Sequence, residues 1–381
     1  MPTPRALTET GDPFLLTPGP LTTSRGVKAA MLHDWGSRDP GFIALNRAVL
    51  AALPAVVHAE TSHLAVPMQG SGTFAVEAML TSFIPRAGKA LLLVNGAYGE
   101  RARRILEIAG RAHLVLATAE DTPPDAGALA AALAADPAIT HVFAVHCETT
   151  SGILNPLAEI AAVTAAAGRA LLVDAMSAFG ALPLDARTTR FQALAASSNK
   201  CLEGVPGLGF VLCERAALAA AAGNATTLSL DLADQARALE ATGQYRFTPP
   251  THVIAALHQA LAEFAAEGGQ EGRGARYRAN CARLIEGMGA LGFRPLLPAA
   301  LQAPIIVTFH MPADPAFEFP RFYEALAARG FLIYPGKLTV APSFRIGCIG
   351  RVGLAEMDAF LAAAAAVLGE LGVRLAPARA A

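Results

Sequence analysis

The sequence predicts an α/β protein, with a large, doubly wound, mainly parallel sheet domain followed by a smaller C-terminal α+β domain. Three observations carry that prediction. Short apolar runs of strand length alternate with longer Ala-rich stretches of helical period. The 381 residues are 53% hydrophobic and only 16% charged, enough to bury a sizeable core and far from a disordered composition. Past about residue 260 the alternation gives way to short strands flanked by helices.

The elements follow in chain order. Residues 1–20 read as an N-terminal segment without the apolar stretch of a secretion signal, and no run reaches the roughly 18 to 20 apolar residues a bilayer span needs. The spacing predicts a helix over Thr73–Phe83, a strand over Ala90–Val94 and a helix over Tyr98–Ala109. A helix over Ala126–Ala135, a strand over His141–His146 and a helix over Leu157–Ala167 come next. Apolar runs at Ala170–Asp174, Phe191–Ala196 and Gly209–Cys213 read as buried strands, and Thr251–Ala266 reads as a helix. Residues 21–260 thus form the large domain. A helical region over Arg273–Leu291 and strands at Ala303–Phe309, Phe331–Pro335 and Ser343–Ile349 make residues 261–381 the small one.

Charge and cysteine usage exclude several classes. With 30 Lys+Arg against 31 Asp+Glu, the net charge of −1 supplies no field for nucleic acid or an anionic membrane. The five cysteines lie far apart with no CxxC pair, so neither a zinc module nor a disulfide framework is indicated, and a cytoplasmic location is expected.

Three groups carry chemistry. Gln69-Gly70-Ser71-Gly72-Thr73-Phe74 leads into a helix, where free backbone N–H groups attract phosphate; an ordinary loop would look the same. The strand Ala170–Asp174 ends in a carboxylate, at the edge where parallel sheets place ligands. The run Phe191–Ala196 leads to Ser197-Ser198-Asn199-Lys200, putting a lysine at the same edge; read as a pair, Asp174 and Lys200 also suit a buried salt bridge. Together, an anion-binding helix start, a carboxylate and a lysine answer the needs of pyridoxal 5'-phosphate. Its phosphate, its ring nitrogen and its aldehyde each want one of them.

These residues sit within a longer series of matches. It includes Leu15-Leu-Thr-Pro-Gly-Pro-Leu-Thr-Thr-Ser-Arg25, Asn95-Gly-Ala-Tyr-Gly99, Glu148-Thr-Thr150, Val173-Asp-Ala-Met-Ser177 and Asn199-Lys-Cys201. It continues through Gly204-Val-Pro-Gly207, Arg246-Phe-Thr248, Tyr334-Pro-Gly-Lys337 and Phe344-Arg-Ile-Gly347. By them the chain resembles the class V, fold-type I aminotransferases and, more closely, the 2-aminoethylphosphonate:pyruvate aminotransferase family. The resemblance implies that Lys200 binds the cofactor aldehyde and moves the substrate proton, and that Asp174 pairs with the ring nitrogen. It implies that Tyr98 stacks on the ring, that Thr149 reaches its phenolic side, and that Ser71, Gly72 and Thr73 hold the phosphate. Thr248 matches a phosphate contact that related dimers supply from the neighbouring subunit, so a homodimer with shared active sites is implied.

Arg345 matches the arginine that holds the substrate's anion, a task its forked donors suit for both carboxylate and phosphonate. Thr23 and Ser24 are expected to add contacts to the phosphonate. The implied reaction moves the amino group of 2-aminoethylphosphonate to pyruvate, giving phosphonoacetaldehyde and alanine. Another class V transaminase, such as an alanine:glyoxylate or serine:pyruvate enzyme, shares the cofactor constellation, and a binding protein on the same fold is the alternative outside enzymes. The chain departs from the family at His33-Asp-Trp-Gly-Ser-Arg-Asp-Pro-Gly-Phe42, a segment that either lines the substrate entrance through Arg38 or has drifted outside the site. His146 is read as more often structural than catalytic, and nothing around Cys147 or Cys201 suggests a reactive thiol.

Overall fold

The computed structural model describes residues 5–338 and 340–375. Its main sheet has seven strands, in the spatial order His63–Gly70, Gly207–Glu214, Ala193–Ser197, Ala170–Asp174, Ile139–Val145, Lys89–Val94 and Ala112–Ala117. The strands from Ala193–Ser197 to Ala112–Ala117 pair in parallel, whereas Gly207–Glu214 runs antiparallel to both its neighbours. The central strands are apolar along their whole length because helices cover both faces. One apolar cluster, with Leu91, Val142, Leu171 and Leu194, lies on one face, and a second, with Leu92, Phe143, Leu172 and Ala193, lies on the other.

The local chemistry explains the helix starts. Asp125 caps Ala126–Ala135 through an acceptor bond from the Ala128 amide, and Asp39 caps Pro40–Ala55, which has proline in its first turn. The helix Gly72–Phe83 differs: its N-cap Ser71 makes no side-chain hydrogen bond, so its first amides are left for another acceptor.

The C-terminal core is built on a three-stranded antiparallel sheet of Ile306–His310, Ser343–Gly347 and Tyr334–Pro335. The helices Gly269–Ala290, Phe319–Ala328 and Leu354–Leu371 pack their apolar faces around it. The expected strand Phe331–Pro335 divides in two: Tyr334–Pro335 joins that sheet, while Phe331–Leu332 pairs in parallel with Phe14–Leu15. The N-terminal segment therefore contributes to the C-terminal core, with Leu16 fully buried there and Phe14 stacked on Phe331 at 5.9 Å. Among the described residues no helix is long and apolar enough to cross a membrane.

Candidate active site

The loops leaving the carboxyl ends of the central strands converge on a cavity of about 430 Å³. Ser71, Gly72, Thr73, Tyr98, Arg101, Cys147, Asp174, Met176, Ser177, Asn199 and Lys200 are among its walls. Of the residues singled out in the sequence, the helix-start loop, Tyr98, Asp174 and Lys200 come together here.

Asp174 is the last residue of its strand and is 5% exposed. Its Oδ1 accepts a hydrogen bond from the Met176 amide at 2.9 Å. Burial pushes its carboxyl up from 3.8 to about 6, against the lowering effect of that amide. A cation brought to this carboxylate would therefore be held strongly, because burial leaves the charge little water to screen it.

Lys200 lies across the cavity, and its Nζ donates to the Pro18 carbonyl at 2.7 Å. Burial holds its ammonium below the usual lysine range, which favours the neutral, nucleophilic amine. The chain passes the lysine at Gly19, where φ is +115° and a Cβ would stand 2.7 Å from Lys200 Cδ. Only glycine fits both that conformation and that approach. Behind the lysine, Arg273 Nη1 donates to the Cys201 carbonyl at 2.5 Å. Glu203, held at φ 60° despite its side chain, accepts from Tyr277 Oη at 2.5 Å and Arg276 Nη2 at 2.7 Å. The long helix Gly269–Ala290 thus braces the lysine turn with a buried network.

Tyr98 stands in the first turn of the helix Ala97–Ile108. Its place is set by a residue to which the sequence reading assigned no role. Glu148 is fully buried and its Oε2 accepts from the Tyr98 and Gly99 amides at 3.1 and 3.4 Å. Its Oε1 accepts from the Thr150 amide at 3.1 Å and the Thr150 hydroxyl at 2.6 Å. A carboxylate at a helix N-terminus is favoured by the dipole as well as by the bonds. Gly96 makes room for it, since a Cβ there would lie 2.4 Å from Glu148 Cδ. The Tyr98 hydroxyl is drawn below its usual range: burial works against ionisation, and the Lys200 charge, the neighbouring Thr149 hydroxyl and the Lys337 charge together outweigh it. Arg101, which the sequence reading passed over, donates to the Thr73 hydroxyl at 3.1 Å and sets its guanidinium carbon 4.8 Å from the Tyr98 ring centre.

Arg345 reaches the site from the C-terminal sheet. Alternation turns its neighbours Phe344 and Ile346 into the C-terminal core, with Phe344 5.4 Å from Phe293, and sends Arg345 the other way. Its Nη1 donates to the Thr149 carbonyl at 2.9 Å and its Nε to the Pro335 carbonyl at 3.1 Å. The Thr149 side chain is fully buried beside Tyr98.

Neither Thr149 nor Arg345 lines the 430 Å³ cavity itself, and three further expected contacts are placed elsewhere. Ser24 Oγ caps the short helix Arg25–Ala29 by accepting from the Val27 amide at 3.0 Å, and it donates to Glu263 at 2.8 Å, so its hydroxyl is already committed. Thr23 lines a separate cavity with Arg276 and Arg351. Thr248 is exposed and lines a neighbouring cavity of about 510 Å³ that shares Gly70 with the first. The divergent segment stays outside as well. Arg38 is exposed, Trp35 packs edge-on to His33 at 4.5 Å, and Asp34 meets His252 at 3.4 Å. Burial lowers the His146 imidazole to about 4, and its Nδ1 has no partner.

A lysine and a buried carboxylate facing an uncapped helix start across the strand ends of a mainly parallel sheet form a group-transfer site of the aminotransferase kind. The class-V aminotransferase family profile matches residues 51–346, and the chain belongs to that family. It is 55% identical over 361 residues to the 2-aminoethylphosphonate–pyruvate transaminase of Pseudomonas entomophila (strain L48), covering 95% of this chain and 98% of that protein. To the enzyme of the same name from Cupriavidus necator it is 54% identical over 364 residues, 96% of this chain and 97% of that one. Among solved structures, pyridoxamine-pyruvate aminotransferase from Mesorhizobium loti superposes with a TM-score of 0.87 at 26% identity, over 98% of this chain and 96% of that one. Ureidoglycine-glyoxylate aminotransferase from Bacillus subtilis shares the fold, with a TM-score of 0.87 at 22% identity over 96% and 95% of the two chains.

Proposed function

We propose that this aminotransferase moves the amino group of 2-aminoethylphosphonate to pyruvate, releasing phosphonoacetaldehyde and L-alanine, with pyridoxal 5'-phosphate bound in the cavity beside Lys200. The observation that carries the substrate reading is the 55% identity, sustained over 95% of the chain, to transaminases of that name. The cofactor reading rests on the cavity. The helix start at Gly72 offers uncapped amides to a phosphate. The Asp174 carboxyl, raised to about 6 by burial, calls for a cationic ring nitrogen.

When bound, the cofactor supplies an electron sink for the carbon that bears nitrogen. The chain's own residues do the rest. Lys200, whose ammonium is already weakened by burial, would hold the cofactor through its amine and would carry the proton taken from the substrate carbon. Asp174 would pair with the ring nitrogen and favour its protonated form. Arg345, with two of its donors fixed on the Pro335 and Thr149 carbonyls, presents the remaining donors to the substrate's anion.

The working form is a homodimer. Phe74 and Phe247 are 48% and 52% exposed and line the same cavity as Thr248, an apolar surface that a second subunit would cover. Sedimentation should give twice the 39.3 kDa chain mass. Its place in the cell would be the cytoplasm, where the five free, buried thiols remain reduced. The substrate test is alanine formation from pyruvate with 2-aminoethylphosphonate as donor, against serine, and against alanine with glyoxylate. The proposal expects 2-aminoethylphosphonate to be preferred, with no product from Lys200→Ala; preference for serine or for alanine with glyoxylate would overturn it.

A further inference from the structure

The two substrates of the proposed reaction carry their charge differently, and this sets a requirement that one arginine does not meet. Pyruvate bears a carboxylate directly on the reacting carbon. In 2-aminoethylphosphonate the amino carbon bears no anion; the charge lies one carbon farther out and approaches two negative charges near neutral pH, as for a phosphate ester. Arg345 brings one positive charge, and its Nε and Nη1 are already committed to backbone carbonyls. A carboxylate is balanced by what remains, whereas a phosphonate leaves about one charge unmatched in a partly buried site.

Two further cations lie against the Tyr98 ring. Arg101 is committed to the helix start through the Thr73 hydroxyl, the end of the cavity suited to a phosphate. Lys337 comes from the C-terminal part of the chain. It follows Tyr334–Pro335, the strand whose Tyr334 pairs with Arg345, and its Nζ is 4.3 Å from the Tyr98 ring centre. The ring faces a half-buried ammonium that forms no ion pair with a carboxylate among the described residues. We propose that Lys337 is the specificity-determining cation for the phosphonate, taking its second charge while Arg345 holds the anion common to both substrates. A lysine suits this task because a point charge on a flexible stem can follow an anion that lies about one bond farther out in one half-reaction than in the other. Its charge is also among those that weaken the Lys200 ammonium, so it lies within electrostatic reach of the reacting end of the cavity.

This inference rests on the substrate reading proposed above, and its test separates the two. The holo-protein, Lys337→Met and Lys337→Arg are each mixed with 2-aminoethylphosphonate or with L-alanine alone, and the decay of the cofactor's visible band is followed in a single turnover. Binding of ethylphosphonate and of propionate is measured by calorimetry on the same proteins, so that affinity is read without turnover. Lys337→Met should lower the rate constant for 2-aminoethylphosphonate and the affinity for ethylphosphonate by about ten- to a hundredfold, the worth of one charge-assisted contact. Alanine and propionate should change by less than about threefold, and Lys337→Arg should recover most of the loss. An equal fall for both substrates, or no change in either, overturns the role of Lys337. Failure of the unaltered protein to react with 2-aminoethylphosphonate overturns the proposed function instead.

Discussion

Replacing Asp174 with asparagine separates what the carboxylate costs the fold from what it gives the bound ring. Burial moves the carboxyl from 3.8 to about 6; at about 1.4 kcal/mol per pH unit the difference is worth about 3 kcal/mol. The folded form keeps its proton to higher pH than the unfolded chain does. The stability this contributes is therefore whole below pH 3.8 and is lost as the pH rises to about 6. Without cofactor at neutral pH, the protein carries a buried carboxylate steadied by the Met176 amide at 2.9 Å. Asparagine keeps that acceptor and never ionises. Cofactor-free Asp174→Asn should thus be more stable than the cofactor-free parent by up to about 3 kcal/mol at pH 8, the gap closing towards about pH 4. With cofactor bound the order should reverse, and proton removal from the substrate should slow by about a hundredfold or more, since a preorganised charge has gone. Urea unfolding across that pH range and stopped-flow absorbance read the two effects. A stability difference independent of pH, or a loaded variant as fast as the parent, would refute the reasoning.

Three further outcomes follow from the site. Glu148→Ala strips the acceptor from the Tyr98 and Gly99 amides and from Thr150, and should cost about 2 to 4 kcal/mol in unfolding free energy while slowing the donor half-reaction; a variant as stable as the parent would show that water replaces the cap. Gly19→Ala drives a Cβ to 2.7 Å from Lys200 Cδ at a φ of +115°, so the visible band of the bound cofactor should be lost well before global stability is, as spectra and thermal melts taken together would show. Burial pushes the Cys201 thiol up to about 12 and Cys147 well above its usual range, leaving about one part in ten thousand of Cys201 as thiolate at pH 8. Iodoacetamide should therefore leave transamination intact, and stoichiometric inactivation would count against a lysine-only mechanism.

The sequence carried the parts of the fold whose signals are local. Ala126–Ala135, capped by Asp125, and Thr251–Ala266 are helices over the predicted residues because long Ala-rich stretches favour the helix, and Ala170–Asp174 is a strand because an apolar run buried on both faces has no other home. The strands His63–Gly70 and Ala112–Ala117 escaped because both lie at sheet edges, the first interrupted by Pro67 and the second largely exposed. Lys200, Asp174 and the Ser71-Gly72-Thr73 loop were legible because each sits at a strand end or helix start, where topology alone brings them to one edge. Glu148, Arg101 and the Pro18 carbonyl were not assigned, since their roles depend on loops meeting from distant parts of the chain. Ser24 shows how one residue type carries two readings. A hydroxyl beside an arginine suits anion binding, serine is also a favoured helix cap, and in the structure its Oγ caps Arg25–Ala29.

The central claim is that this chain takes the amino group from 2-aminoethylphosphonate on a cofactor held by Lys200. It is tested most directly by adding that compound alone to the purified holo-protein and recording the visible spectrum together with the product. The account predicts loss of the cofactor band with one equivalent of phosphonoacetaldehyde per site, and return of the band on adding pyruvate. A band that ignores 2-aminoethylphosphonate while responding to alanine or serine would contradict it.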